Sequence, residues 1–123
     1  MPTRKPTDAE LAILRVLWSR GPSTVRQVAA AMDREAGYTT VLKLLQIMAE
    51  KGLVTRDESA RTHIYQAAFT EDQTQQQLVT DLVERAFDGS AAKLVLQALA
   101  SKKATPEELD EIRTLLNTRG GSR

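Results

Sequence analysis

The chain of 123 residues contains 41% hydrophobic and 27% charged residues, as soluble folded proteins do, and has room for one ordinary domain or a small domain with an appended element. Its net charge of +1 identifies no class of partner. It has no cysteine and a single histidine, His63, which excludes disulfides, thiolate zinc sites and multi-histidine metal cages.

The sequence favours a cytoplasmic location. No apolar run approaches the roughly 18 residues of a membrane span, and residues 1–6 do not resemble the start of a secretory signal. Its motifs include no nucleophile with an activating base and no group of metal ligands. We therefore expect a cytoplasmic protein without membrane insertion that is not an enzyme and uses no metal or cofactor.

Charge is distributed unevenly along the chain. Residues 1–69 contain ten basic residues against seven acidic ones, whereas residues 70–123 contain seven basic residues against nine acidic ones. A basic first part and an acidic second part are typical of a nucleic-acid-binding module joined to an assembly module, although the same asymmetry also arises by chance.

The first two predicted helices are marked by their caps. Thr7 and Glu10 have the spacing of a capping box, in which the hydroxyl accepts from the Glu10 amide and the carboxylate reaches back to Thr7. Apolar residues then recur at helical spacing until residues 21–22, Gly-Pro, end the helix near residue 19. Residues 23–24, Ser-Thr, provide the cap of a second, short helix.

A third helix is predicted from Thr39 to Lys51, with Gly37 before it and Gly52 as its terminator. One face of this helix is apolar and is expected to pack in the core: Val41, Leu44, Leu45 and Met48. The opposed face is polar: Thr39, Lys43, Gln46 and Glu50.

After Gly52 the periodicity changes from helical to alternating. Residues 53–57 and 62–66 predict two strands, and residues 58–61 predict the turn between them. Three helices followed by a β-hairpin form the layout of a winged helix-turn-helix, in which the hairpin is the wing. The sequence therefore predicts a mainly α protein whose residues 1–69 form a winged-helix DNA-binding domain.

The third predicted helix carries side chains that suit DNA. Lys43 suits the acceptors of guanine and Gln46 suits adenine, while a threonine suits a thymine methyl or a phosphate. The free amides at Thr39 and Thr40 provide a further site for phosphate. A solvated surface helix is the alternative interpretation. Its position, second in a helix-turn-helix and followed by a wing, favours the DNA-binding one.

The predicted wing adds two basic side chains, Arg61 and His63, which are placed to enter the adjacent minor groove or to contact phosphate. For His63, an ordinary strand position is favoured over a metal or catalytic role. Trp18, Tyr38 and Tyr65 are expected to pack in the core or at hinges, and Tyr38 is kept as a candidate DNA contact. The predicted DNA-binding set is Tyr38, Thr39, Thr40, Lys43, Gln46, Arg61 and His63.

The remainder of the chain predicts three further helices, in a helical dimerisation domain over residues 70–119 with a disordered tail at 120–123. Capping boxes begin at Thr70 and Thr105, and Ser90 caps the helix between them. These helices either fold back onto the first domain or pair with a second copy; their apolar content exceeds what one small core needs and favours pairing. The predicted dimer interface is Leu78, Leu82, Phe87, Leu94, Val95, Leu99, Leu109, Ile112 and Leu116.

Several short motifs, in this order and at this spacing, resemble the penicillinase-repressor family, which includes BlaI, MecI and the copper-responsive CopY-type repressors. The motifs are TDAELAIL at 7–14, LW at 17–18, VRQV at 25–28, YTTV at 38–41, KGLV at 51–54, LVL at 94–96 and ELDEI at 108–112. The resemblance covers almost the whole chain.

The resemblance implies a homodimeric winged-helix repressor that binds palindromic operators, often those of β-lactamase or related cell-wall resistance genes. It also implies release from DNA by proteolysis in the dimerisation domain, triggered through a membrane sensor-protease system that binds β-lactam. In the staphylococcal-type members the cleaved bond is Asn-Phe, and the matching positions here are Gln97 and Ala98. This departure puts the standard cleavage in question or implies a protease of different specificity.

Two other departures from the family pattern bear on function. Copper sensing is disfavoured, because CopY-type members bind copper through C-terminal cysteines and this chain has none. Ile47 stands where many relatives carry arginine, so one phosphate contact is expected to be absent, with Lys43 as its replacement. The alternatives to a repressor of this type are a winged-helix regulator released by a small-molecule effector and a winged-helix protein-interaction module that does not bind DNA.

Overall fold

The computed structural model describes residues 5–32 and 37–120 of the chain. Within them it contains six helices and one antiparallel pair of strands. In chain order these elements are α1 (Asp8–Arg20), α2 (Val25–Ala31), α3 (Tyr38–Lys51), β1 (Val54–Asp57), β2 (Ile64–Ala67), α4 (Glu71–Ala86), α5 (Ala91–Ser101) and α6 (Pro106–Gly120). This order confirms the predicted mainly α winged-helix architecture.

The chain forms two compact units, one ending at Val79 and the other beginning at Thr80. The division falls inside α4, whose first half belongs to the first unit. The predicted boundary between residues 69 and 70 lies at the loop that precedes α4, and it stays a prediction. Of the predicted tail, Gly120 belongs to α6, and residues 121–123 lie outside the described residues.

Side-chain caps fix where the helices begin, as the sequence predicts. At α1, Glu10 N donates to Thr7 Oγ1 at 3.2 Å and Thr7 N donates to Glu10 Oε1 at 2.9 Å. The same reciprocal pair opens α4 from Thr70 and α6 from Thr105. The α2 cap is also a complete box, because Gln27 at its third helical position reaches back to Thr24. Signals in the local sequence therefore mark where most of the helices begin.

The core of the first unit lies between α1, α2, α3 and the hairpin. Its buried apolar members are Ile13, Leu14, Leu17, Val25, Val28, Val41, Leu45, Met48, Leu53, Val54 and Tyr65. Tyr65 and Trp18 pack as predicted: Tyr65 is fully buried, and Trp18 packs against the core with its indole N–H donating to the Phe69 carbonyl at 3.0 Å. Leu44, predicted as a core position, is only partly buried at the edge of the cluster.

The hairpin is shorter than its alternating pattern predicts. Its ladder runs from the pair Val54–Ala67 to the pair Asp57–Ile64, so the second strand is Ile64–Ala67 rather than 62–66. The alternation in residues 62–66 predicted a strand that begins earlier, but β1 ends at Asp57 and provides no partner for Thr62 or His63. Those two residues therefore belong to the exposed tip of the wing.

The wing is also joined to the turn that precedes α2. Ser23 and Tyr65 exchange both backbone hydrogen bonds, with N–O distances of 2.9 and 2.8 Å. Both residues are buried, and the Ser23 hydroxyl donates to the Gly21 carbonyl at 2.8 Å. This bridge holds β2 against the helix-turn-helix.

A buried ion pair joins the start of α1 to the end of α3. Lys51 Nζ lies 2.6 Å from Glu10 Oε1, and the two side chains are 12% and 3% exposed. Burial by itself raises the pKa of Glu10. The hydrogen bonds from Lys51 and Thr7, together with the positive charge of Lys51, outweigh burial and hold the pKa of Glu10 below its ordinary value.

In the second unit the helices present apolar side chains to solvent. α5 has no buried residue, and Leu96 on it is 67% exposed. On α6, Leu115 and Leu116 are 56% and 61% exposed. None of the described helices is long and apolar enough to cross a membrane.

Candidate nucleic-acid interface

The polar face of α3 is open to solvent, as the sequence predicts. Thr39, Thr40, Lys43 and Gln46 are all exposed, while Val41, Leu45 and Met48 on the opposite side of the helix are buried. Three buried anchors at i, i+4 and i+7 fix the rotation of α3 about its axis. The burial of one face therefore determines which side chains the other face presents.

The first turn of α3 begins at a glycine cap. Gly37 precedes the helix and has no side chain to accept from the first-turn amides, in contrast to the threonine caps of α1 and α2. A backbone hydrogen bond closes this turn, from Val41 N to the Gly37 carbonyl at 3.1 Å. Such a helix start has N–H groups directed outward, next to the exposed hydroxyls of Thr39 and Thr40.

A cleft of about 400 Å³ lies between α2, α3 and the wing. It brings together three of the predicted DNA-binding residues, Tyr38, Arg61 and His63. The complete lining is Thr24, Val25, Arg26, Tyr38, Leu42, Arg61, Thr62, His63 and Tyr65. The sequence does not show that the start of α2, the start of α3 and the wing tip meet, because these segments come together only in the fold.

Arg26 on α2 is a member of this cleft that the sequence analysis missed. Its guanidinium carbon lies 5.4 Å from the centroid of the Tyr38 ring, within the range of a cation–π contact. Tyr38 is 48% exposed, so the expectation that it packs in the core is wrong, whereas packing at a hinge stays a prediction. It lies at the start of α3, outside the set of buried positions, and one side of its ring is covered by Arg26. The signal available in the sequence was a basic residue in the first turn of α2, the helix that precedes α3.

The cleft has a positive electrostatic character. Arg26 and Arg61 contribute to its lining, and none of the described lining residues is acidic. Neither arginine forms an ion pair with a described residue. By contrast, Arg56 on β1 is paired with Glu58 at 2.6 Å, so its charge is largely compensated. A positive concavity beside a polar helix face fits a phosphate backbone next to base edges.

The turn of the wing is held by a local hydrogen bond. Ser59 N donates to Asp57 Oδ1 at 2.9 Å, and contacts with Ser59 lower the pKa of the Asp57 carboxyl. This turn leads into Arg61 and His63, both exposed. Elsewhere in the described residues, no cluster of three or more histidine, cysteine, aspartate or glutamate side chains is placed to hold a metal ion.

The predicted dimer-interface residues divide by exposure. Leu82, Val95, Leu99, Leu109 and Leu116 are exposed, whereas Leu78, Phe87, Leu94 and Ile112 are half-buried. Leu96 and Leu115, which are not in the predicted interface, are among the most exposed apolar side chains of the described residues.

Gln97 and Ala98 lie in the middle of α5, with both side chains exposed. The carbonyl of Gln97 accepts from the Ser101 hydroxyl at 2.8 Å, and the carbonyl of Ala98 accepts from Lys102 N at 3.0 Å. The bond between them is therefore helical in this state, and a protease that needs an extended substrate has to unwind it first.

The fold and this interface define a winged-helix DNA-binding regulator. The family model described as "Penicillinase repressor" matches residues 6–118, so the chain belongs to the penicillinase repressor family. This confirms the resemblance noted in the sequence, and the function it supports is that of a DNA-binding transcriptional repressor.

Two relatives found by sequence agree with this assignment. The transcriptional regulator BlaI of Mycobacterium tuberculosis is 34% identical over 112 residues, which cover 89% of this chain and 80% of the relative. The penicillinase repressor of Bacillus licheniformis is 20% identical over 89% of this chain and 88% of its own. Among solved structures, BpsR of Bordetella bronchiseptica matches 99% of this chain and 80% of its own with a TM-score of 0.49 and 20% identity.

Proposed function

We propose that this repressor binds a palindromic operator as a homodimer, with α3 of each copy in the major groove and the wing on the adjacent backbone. The observation that carries the proposal is the open polar face of α3 beside the basic cleft. Because it acts on DNA, we place the protein in the cytoplasm. The names of its relatives, penicillinase repressor and methicillin resistance regulatory protein, support β-lactam resistance or cell-wall stress genes as targets.

The chemistry of the side chains indicates which of them contact bases and which contact phosphates. Lys43 and Gln46 have the donors and acceptors that discriminate base edges in the major groove, whereas Thr39 and Thr40 position the helix on phosphate. In the cleft, Arg26 and Arg61 supply positive charge for the backbone, and His63 offers a ring nitrogen for a hydrogen bond to phosphate. The stack of Arg26 on Tyr38 orients the guanidinium while leaving its N–H groups available to phosphate oxygens.

The homodimer is supported by the apolar side chains that the second unit leaves exposed. Leu96, Leu115 and Leu116 are each more than half exposed, an unfavourable arrangement for a soluble monomer. A two-fold interface would cover the same side chains on both copies. Two half-sites held by one dimer also raise the effective concentration of the second recognition helix at the operator.

The proposal is tested by footprinting the purified protein on the DNA upstream of its own gene at about 150 mM salt. We expect a protected two-fold site whose half-sites are separated by about one helical turn or a multiple of it. Binding that is equal on all DNA and disappears with added salt would contradict a sequence-specific repressor. Release of the protected site by a soluble small molecule, without cleavage of the chain, would favour the effector-responsive alternative.

Two substitutions separate base readout from backbone contact. Lys43→Ala is expected to weaken operator binding by about 1–3 kcal/mol for each half-site and to relax the preference at one base pair in each, because a lysine that reads guanine is lost from both copies. Arg26→Ala is expected to weaken binding to all sequences alike and to reduce the magnitude of the slope of log affinity against log salt by about 1.8, because each copy loses one phosphate contact. Titrations of labelled duplexes at several salt concentrations measure both effects.

Lys103→Ala provides the control for the loss of a charge, because Lys103 is exposed in the loop between α5 and α6. It should leave both the affinity and the salt slope unchanged. A uniform loss from Lys43→Ala would reassign that side chain to phosphate, and an unchanged salt slope for Arg26→Ala would remove Arg26 from the interface.

A further inference from the structure

Ile47 is an apolar side chain on the otherwise polar face of α3. It is 37% exposed and follows Lys43 by four residues and Thr40 by seven, a spacing that places all three along one side of the helix. The adjacent exposed positions, Gln46 and Glu50, are polar. A β-branched hydrocarbon therefore lies among the groups that face the proposed major groove.

The packing of α3 does not account for this side chain. The apolar face of the helix is formed by Val41, Leu45 and Met48, which are all almost fully buried. Leu42 and Leu44 pack against the edge of the same core, whereas Ile47 is not part of the cluster. The exposed part of its hydrocarbon surface, 37%, remains available to a partner.

We propose that Ile47 contacts the 5-methyl groups of thymines in the operator and so contributes to its sequence preference. This inference rests on the proposed function and assigns a specificity-determining residue to the same interface. The methyl of thymine is the apolar group that base pairs present in the major groove, and apolar side chains recognise it by contact. A position that carries hydrocarbon can discriminate thymine from cytosine without any hydrogen bond.

The size of the effect follows from the area of one methyl group. Removing a buried methyl or methylene from such a contact lowers affinity by a factor of about four. In a two-fold complex each half-site contributes one such contact, so removing the methyl from both half-sites is expected to lower affinity by a factor of about fifteen.

The test compares thymine with deoxyuridine, which lacks only the methyl group. After footprinting defines the operator, each thymine of a half-site and its symmetry mate are replaced by deoxyuridine, and the full-length protein is titrated against each labelled duplex. For the unmodified protein we expect the fifteenfold loss at one or two thymines. Ile47→Ala should bind the original operator with the same reduced affinity and show no further loss on deoxyuridine, whereas Ile47→Val should keep part of the discrimination.

Gln46→Ala is the matched control, because it removes a neighbouring side chain on the same face. It should lower affinity while leaving the sensitivity to deoxyuridine intact. Full sensitivity to deoxyuridine in Ile47→Ala, or no sensitivity in the unmodified protein, would overturn the assignment of Ile47. The proposed repressor function would be unaffected by either result. Failure of the protein to protect any specific site would instead contradict the proposed function, and it would be seen before any thymine is changed.

Discussion

Replacing Leu116 by glutamate is expected to raise the dissociation constant of the dimer about a hundredfold or more, and to lower operator affinity with it. The side chain is 61% exposed on α6, on the same side as Leu109 and Ile112. Burying a leucine contributes about 1.5–3 kcal/mol, and a two-fold interface loses this contribution from both copies. The introduced carboxylate would also have to be desolvated in the interface, which adds to the loss.

Sedimentation equilibrium over a wide range of protein concentration measures the dimer constant, and circular dichroism checks that α6 remains helical. Thr114→Ala is the matched control, because Thr114 is exposed on the other side of the same helix and should leave the constant unchanged. If Leu116→Glu remains as dimeric as the unmodified protein, the apolar face of α6 is not the interface.

The second large effect is expected at the ion pair between Glu10 and Lys51. Glu10→Ala removes the carboxylate that accepts from both Lys51 Nζ and Thr7 N, and it should lower the free energy of unfolding of the first unit by about 3 kcal/mol. Glu10→Gln keeps an acceptor but removes the charge, so about half of that loss is expected. Trp18, the only tryptophan, reports the unfolding of this unit during urea denaturation.

The same pair predicts how stability changes with pH. The pKa of Glu10 is lower in the folded chain than its ordinary 4.5, so the ionised form is the one that the fold stabilises. The contribution of Glu10 to the free energy of unfolding is fully present above pH 4.5 and is lost as the pH falls through the lowered pKa. In Glu10→Gln this part of the acid destabilisation should disappear, whereas Glu50→Gln, at an exposed position, should keep it. Equal acid profiles for the protein and Glu10→Gln would contradict the assignment.

The elements of this fold are predictable from sequence because their signals are local. Thr7, Thr70 and Thr105 each stand three residues before a Glu or Gln partner, and the helices begin where these boxes place them. The winged-helix layout follows from the order of elements. The strand limits are less predictable, because pairing with β1 decides where β2 begins and the alternation of residues 62–66 does not contain that information.

The polar face of α3 is also predictable, since the periodicity of Val41, Leu45 and Met48 determines which residues face outward. The basic cleft, by contrast, is not predictable from the sequence. Arg26 and Arg61 are 35 positions apart in the sequence and become neighbours of the same cleft only because the hairpin folds back on α2. The exposure of Tyr38 has a similar origin. An aromatic residue at the start of a helix is typical of packing, and the chain instead covers one side of its ring with Arg26.

The backbone bridge between Ser23 and Tyr65 has a consequence for how the wing moves. Because β2 is tied on one edge to β1 and on the other to the turn before α2, the strand itself is confined like the middle strand of a small sheet. Freedom of motion is left to the tip between Asp57 and Ile64, which is anchored at both ends. In the proposed complex this leaves the tip able to adjust to the width of a groove without a change in the angle at which α3 meets the DNA.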